Sequence, residues 1–162
     1  MTERNYAAEY AERMLRTRWL MRAPILLYRA RLGWMLGERF VMIEHQGRKS
    51  GLPRYVVVEV TDRERNVVRV GSGFGKRADW YRNMAANGVA YLSTGRVRRV
   101  PAHVRMLDEA ESAAVLKKYA ARHPESWDML EPVMKELSGE PVSPVVEFTP
   151  PAGWSPRSQA RS

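Results

Sequence analysis

The chain has 162 residues, with 27 Lys+Arg against 18 Asp+Glu, a net charge of +9, 44% apolar residues and no cysteine. One domain with a sizeable core suits that length, and without Cys there is no disulfide, zinc–thiolate site, iron–sulfur cluster or thiol nucleophile. The charge is uneven: residues 1–105 carry 21 basic and 9 acidic side chains, residues 106–162 carry 6 and 9, and 22 of the basic residues are Arg, whose planar fork suits phosphate and carboxylate oxygens.

From Tyr6 to about Arg22 the chain lacks helix breakers, and Tyr6, Ala7, Tyr10, Ala11, Met14 and Leu15 recur at helical spacing opposite Glu9, Glu12, Arg13 and Arg16. Pro24 interrupts, and Ile25 to Met35 reads as a second helical piece ending at Gly37. With Trp19 and Trp34 nearby, such a basic amphipathic segment suits packing on its own domain, and equally peripheral contact with a membrane or cover for a hydrophobic ligand. The longest apolar stretch, Ala23 to Tyr28, falls far short of the roughly 20 residues that span a bilayer. No signal-peptide pattern opens the chain, so a cytoplasmic protein, at most peripheral at the inner face of the membrane, is expected.

The pattern then changes to sheet. Phe40 to Ile43 and the β-branched run Tyr55 to Val60 flank a turn-rich loop, Gln46 to Pro53; Asp62 to Asn66 reads as a hairpin turn before a strand at Val67 to Val70. A second glycine loop, Gly71 to Gly75, leads to a short helix, Asp79 to Asn87, with Gly88 placed to end it. Val89 to Ser93 and Arg96 to Val104 form a hairpin around Thr94-Gly95, with Arg96, Arg98 and His103 alternating against Val97 and Val100. Asp108 and Glu111 make a capping box for a helix to about Ala121, Pro124 opens another to Leu137, and Val145 to Phe148 supplies a last strand. Six short, mostly antiparallel strands with helices outside them predict an α+β, single-domain barrel rather than a doubly wound sheet. The expected layout is an N-terminal helical segment at 1–37, a barrel domain at 38–149 and an unordered tail at 150–162.

Two loops join exposed backbone N–H groups to cations. The first is Gly47-Arg48-Lys49-Ser50-Gly51 with Arg54 behind it; the second is Ser72-Gly73-Phe74-Gly75-Lys76-Arg77, which feeds a helix N-terminus. Both suit an anion. The second lacks the Gly-Lys-Ser/Thr of nucleoside triphosphatases, because Arg77 follows Lys76, and no Ser stands in a nucleophile elbow. Hydrolysis of ATP or GTP and triad chemistry are therefore not expected, and any redox chemistry belongs to a cofactor.

The succession Gly47-Arg48-Lys49-Ser50-Gly51-Leu52-Pro53-Arg54, then Asp79-Trp80-Tyr81-Arg82-Asn83-Met84-Ala85-Ala86-Asn87, resembles the deazaflavin-dependent nitroreductase family of actinobacteria over roughly residues 25–125. The resemblance implies a split β-barrel that binds coenzyme F420 and passes a hydride to a small-molecule acceptor, a quinone, nitroaromatic or related conjugated compound. It implies that Arg48, Lys49, Ser50 and Arg54 hold the phosphate and tail, and that Ser72, Gly73, Phe74, Gly75, Lys76 and Arg77 lie along the ring and phosphate. Trp80 is either a ring contact or a core residue. Where relatives carry several tyrosines, this chain has His123-Pro124-Glu125-Ser126-Trp127-Asp128, leaving Tyr119, His123 and Ser126 as candidate proton donors. Gly-Phe-Gly in the second loop also departs from the family, so Phe74 alters the ring pocket.

Other readings are a non-catalytic barrel binding FMN or a lipid, and a nucleic-acid-binding protein. Against the latter, the strand from Arg96 to Arg105 interleaves no aromatic side chain with its cations, so no nucleic-acid partner is expected. The sequence leaves monomer and homodimer open.

Overall fold

A computed structural model of the protein describes residues 24–152. Its centre is a seven-stranded antiparallel sheet in the order β2-β1-β5-β6-β7-β4-β3. The strands are β1 (Phe40–Gln46), β2 (Pro53–Glu59), β3 (Asp62–Glu64), β4 (Val67–Gly71), β5 (Val89–Thr94), β6 (Val97–Met106) and β7 (Val145–Thr149). Three helices, α1 (Asp79–Asn87), α2 (Glu109–Arg122) and α3 (Pro124–Ser138), follow β4 and β6.

Alternation along the strands sends one face inward. Val41 and Ile43 of β1, Val68 and Val70 of β4, Leu92 of β5, Ala102 of β6 and Val146 and Phe148 of β7 make one buried cluster with Tyr81 and Met84 of α1. Val56, Val58 and Val60, at the other end of the sheet from β4, pack against the same cluster. Both ends of one sheet therefore share a single core, which is what curls it into a split barrel. A second cluster, Leu107, Val115, Leu116 and Val145, seats α2. That helix starts where the sequence places it: Asp108 accepts from the Glu111 N–H and Glu111 accepts from the Asp108 N–H. Gly88 ends α1 in the left-handed conformation its sequence position calls for.

Three elements differ from the sequence expectation. Asp62 to Glu64 is a strand, paired Asp62 with Arg69, and the turn shrinks to Arg65 and Asn66. Its one buried side chain is a carboxylate, held by Arg69 Nη1 and Arg122 Nη2 at 2.7 Å each, so no apolar alternation marks it. Arg69 Nε also bonds Glu147, which takes Arg105 Nε on its other oxygen. Residues 25–35 do not form one helix. The helix covers 24–29, Arg31 takes a positive φ of 66°, and a 3-10 turn spans Gly33–Leu36. The Tyr28 ring lies against Gly33 where a Cβ would stand, and its hydroxyl donates to the Phe40 carbonyl, so the segment folds back on itself. In β6, a register shift opposite Leu92 and Thr94 makes both Arg98 and Arg99 exposed, where strict alternation would bury one. The expected Tyr6 to Arg22 helix and all but the first residues of the tail lie outside the described residues. No described helix is long and apolar enough to cross a membrane.

Candidate functional site

The β1–β2 loop closes on itself and is then tied to α1. Gly47 N–H donates to the Leu52 carbonyl, Gly51 N–H to the Gly47 carbonyl and Leu52 N–H to Ser50 Oγ. Gly51 takes φ +68°, a conformation that favours glycine, and a Cβ on Gly47 would stand 2.6 Å from Ser50 Oγ and force that hydroxyl off Leu52 N–H. Asn83 Oδ1 accepts from the Arg48 backbone N–H at 3.1 Å and from Arg48 Nη1 at 2.9 Å, while Arg48 Nη2 pairs with Asp79 at 3.2 Å. Asn83 Nδ2 lies 3.1 Å from His45 Nδ1, and Asn87 Nδ2 donates to the Gln46 carbonyl. His45 is pushed down to about 4 by burial, reinforced by the positive charge of Arg54, its register partner on β2. It is therefore neutral at pH 7 and serves Asn83 as a hydrogen-bond partner. Arg48 is thus engaged within the protein, whereas Lys49 and Arg54 are exposed and form no ion pair with another described residue.

The second loop is fixed from below. Buried Ser72 donates its hydroxyl to the Gly75 carbonyl at 2.8 Å and its N–H to the Pro144 carbonyl. Gly75 has φ +68°, and a Cβ there would meet Glu140 Oε2 at 2.6 Å and Ser138 Cβ at 2.9 Å. Glu140 Oε2 accepts from the Lys76 N–H, with Lys76 Nζ 4.0 Å from the other oxygen. Arg77 Nη2 donates to the Leu137 and Ser138 carbonyls, the orphan acceptors at the end of α3. Gly73 is different: a Cβ would find only Met134, at 3.9 Å. Phe74 is exposed. α1 then begins at Ala78 without a side-chain cap. Arg48 on Asp79 therefore brings the first loop to the start of the helix into which the second loop runs. Trp80 is partly buried against the barrel core and meets Tyr81 edge-on at 6.1 Å between ring centroids.

A third group stands where α2 crosses the end of β2. Tyr119 Oη donates to Glu59 Oε1 at 3.3 Å, and Arg39 Nε donates to the same oxygen at 3.1 Å. Burial and the neighbouring Glu59 carboxylate push the Tyr119 phenol up, so it keeps its proton at neutral pH. The His123 ring lies 5.0 Å from that of Tyr119, and Trp127 meets Tyr119 edge-on at 6.2 Å. Ser126, on the first turn of α3, makes no side-chain hydrogen bond with another described residue. A Cβ on Gly71, which opens the second loop, would stand 3.8 Å from Leu116 Cδ2, one turn before Tyr119. Glu59, Arg39 and Glu140 were missed in the sequence, where distant partners leave no spacing to read; Asn83 lies inside the helix motif quoted above. Among the described residues no cluster of His, Asp and Glu could hold a metal.

The family model described as F420H(2)-dependent quinone reductase matches residues 20–130. A search of curated proteins finds no match. Among solved structures, a protein solved as a domain-swapped dimer is 19% identical, with a TM-score of 0.53 over 69% of this chain and 81% of its own. An F420-H2 dependent reductase (FDR-A) is also 19% identical, with a TM-score of 0.51 over 69% of this chain and 95% of its own. At that identity the likeness to solved structures is one of fold, the split barrel. With residues 20–130, most of the chain, matched by one family model, the protein belongs to the F420H(2)-dependent quinone reductase family, and coenzyme F420 is its cofactor.

Proposed function

We propose that the protein is a reductase that uses reduced F420 to convert a quinone to its hydroquinone. The observation that carries this reading is the contact of Arg48 with Asp79 and Asn83, which draws two cationic glycine loops to the N-terminal half of one helix. The residues there fit a ligand with a flat ring, one phosphate and several carboxylates. Lys49 and Arg54 offer cations with no ion pair to another described residue, Lys76 is exposed in the turn that leads into α1 with Glu140 4.0 Å away, and the backbone at Gly73 has room for close approach. In this reading Lys49, Arg54 and Lys76 hold the phosphate and tail. Arg48 and Arg77 position the loops, Arg48 through Asn83 and Arg77 through the end of α3. Ser50 and Ser72 serve their turns through the bonds to Leu52 and Gly75, with Gly73 and Phe74 flanking the ring.

Bound F420, when reduced, supplies a hydride, and the acceptor needs one proton in addition to leave as a hydroquinone. Tyr119 Oη holds a proton at neutral pH, and its partner Glu59 accepts it in a defined direction. We assign Tyr119 as donor and His123, exposed on its flank, as the link to solvent; Ser126 has no part. The test is anaerobic oxidation of reduced F420 by menadione and, in parallel, by a nitroaromatic. Turnover with menadione that falls sharply in Tyr119→Phe, with F420 affinity unchanged, supports the reading. Turnover with the nitroaromatic alone, or no loss in Tyr119→Phe, overturns the acceptor or the donor respectively.

A further inference from the structure

Away from both glycine loops, a cavity of about 580 Å3 opens between residues 28–34 and the outer face of β1, β5 and β6. Alternation separates the two places. Met42 and Glu44 of β1 line the cavity, whereas His45 points to the other face and to α1. Its walls are apolar and aromatic: Tyr28 and Trp34 on one side, buried Met42 and Val97 on the other, with Trp34 55% exposed.

Its rim is cationic. Arg29, Arg31, Arg96, Arg98 and Arg99 line it against a single carboxylate, Glu44. Arg99 answers that carboxylate by itself, with a bidentate pair at 2.9 and 3.1 Å and its guanidinium 4.1 Å above the Tyr91 ring. Arg31, Arg96 and Arg98 form no ion pair with another described residue, and Arg29 lies over Tyr55 at 6.0 Å. Among the described residues the rim therefore keeps a surplus of four positive charges.

The backbone is bent to gather them. In a regular strand Arg98 and Arg99 would face opposite ways; the irregular register against β5, with Arg99 at φ +48° and its N–H on Ser93 Oγ, turns both to the cavity. Arg31 likewise takes φ +66° at the break before Gly33. Left-handed backbone is unfavourable for a residue with a Cβ, and here it recurs twice at one cavity, on arginine each time.

We propose that this cavity is a second binding site, separate from the F420 site, for a small amphiphilic anion: an acyl or aryl body ending in a carboxylate, phosphate or sulfonate. The body lies between Trp34, Met42 and Val97, and the anionic end meets Arg96 and Arg98.

The test is calorimetric titration of the full-length protein with decanoate and with decyltrimethylammonium, both below micelle-forming concentration. Decanoate is expected to bind at one site, the cation not at all. Affinity for decanoate should fall about tenfold or more in the Arg96→Ala/Arg98→Ala double variant. It should fall also in Trp34→Ala, while melting temperature and F420 affinity stay at wild-type values in the double variant. Equal uptake of the cation, no uptake of decanoate, unchanged affinity in the double variant, or displacement of decanoate by F420 would each overturn the proposal. So would capture of the protein by phosphatidylglycerol vesicles without uptake of monomeric decanoate, since that assigns the cations to a surface instead of a cavity.

Discussion

Asn83 is the side chain on which the β1–β2 loop most depends. It takes two bonds from Arg48 and meets His45; Asn83 and His45 are both buried, so removing the amide leaves the Arg48 backbone N–H and the His45 ring nitrogen without a partner. Asn83→Ala is expected to cost about 1–3 kcal/mol in chemical denaturation, and to weaken F420 binding more than Lys49→Ala does, because the whole loop is released. His45 gives this site a pH signature. Its folded value of about 4 lies below the roughly 6.5 of an unfolded histidine. Between those values the unfolded chain binds more protons, so stability rises with pH across that window and is lost as the pH falls from 6.5 towards 4. Asp62 and Glu147 behave otherwise. Burial would raise both, but their arginine partners outweigh it and hold both below the usual carboxylate range, so their contribution disappears only at more acid pH. His45→Gln should therefore flatten the stability profile between pH 6.5 and 4 and leave the steeper acid limb in place.

At the level of elements, the parts legible in the sequence are those marked by backbone chemistry. Gly51 and Gly75 announce turns whose positive φ favours glycine, Gly88 ends α1, and the Asp108 to Glu111 box starts α2 within one residue of its place. Asp108→Ala should cost about 1 kcal/mol and leave F420 affinity untouched, since α2 carries no loop cation. The parts that escaped are held by long-range pairs. β3 exists because Arg69 and Arg122 neutralise Asp62, a partnership across 60 residues on one side that no periodicity signals. Glu140 reaches the Lys76 N–H across 64 residues, and Tyr119 meets Glu59 across 60. Arg69 also bridges β4 to Glu147 of β7, so Arg69→Met leaves two nearly buried carboxylates short of a partner. A loss of about 3–5 kcal/mol is expected, read as a lower denaturation midpoint, with β3 and β4 first to lose amide-exchange protection.

Across the described residues, the basic side chains divide into those the fold pairs and those it leaves free, the latter at the rim of the second cavity and beside α1. Arg39, Arg48, Arg69, Arg99, Arg105 and Arg122 are paired with carboxylates and hold the barrel together. Lys49 and Arg54 are exposed and make no ion pair with another described residue, and exposed Lys76 has only Glu140 at 4.0 Å; in the proposed function these are the cations that meet the polyanionic cofactor. Attraction of that kind is screened by salt, so F420 affinity should weaken steadily as ionic strength rises from 0.05 to 0.5 M while the fold persists, because the structural pairs at Asp62 and Glu147 are shielded from solvent. The central claim is that the cations unengaged by the fold bind the cofactor that drives quinone reduction. It is tested most directly by the anaerobic rate of reduced F420 oxidation by menadione in wild type and in Lys49→Ala/Arg54→Ala, each at several F420 concentrations. The account predicts saturable, menadione-dependent oxidation in wild type and a KM for F420 raised at least tenfold in the double variant at unchanged melting temperature; an unchanged KM, or no oxidation by the wild-type protein, would contradict it.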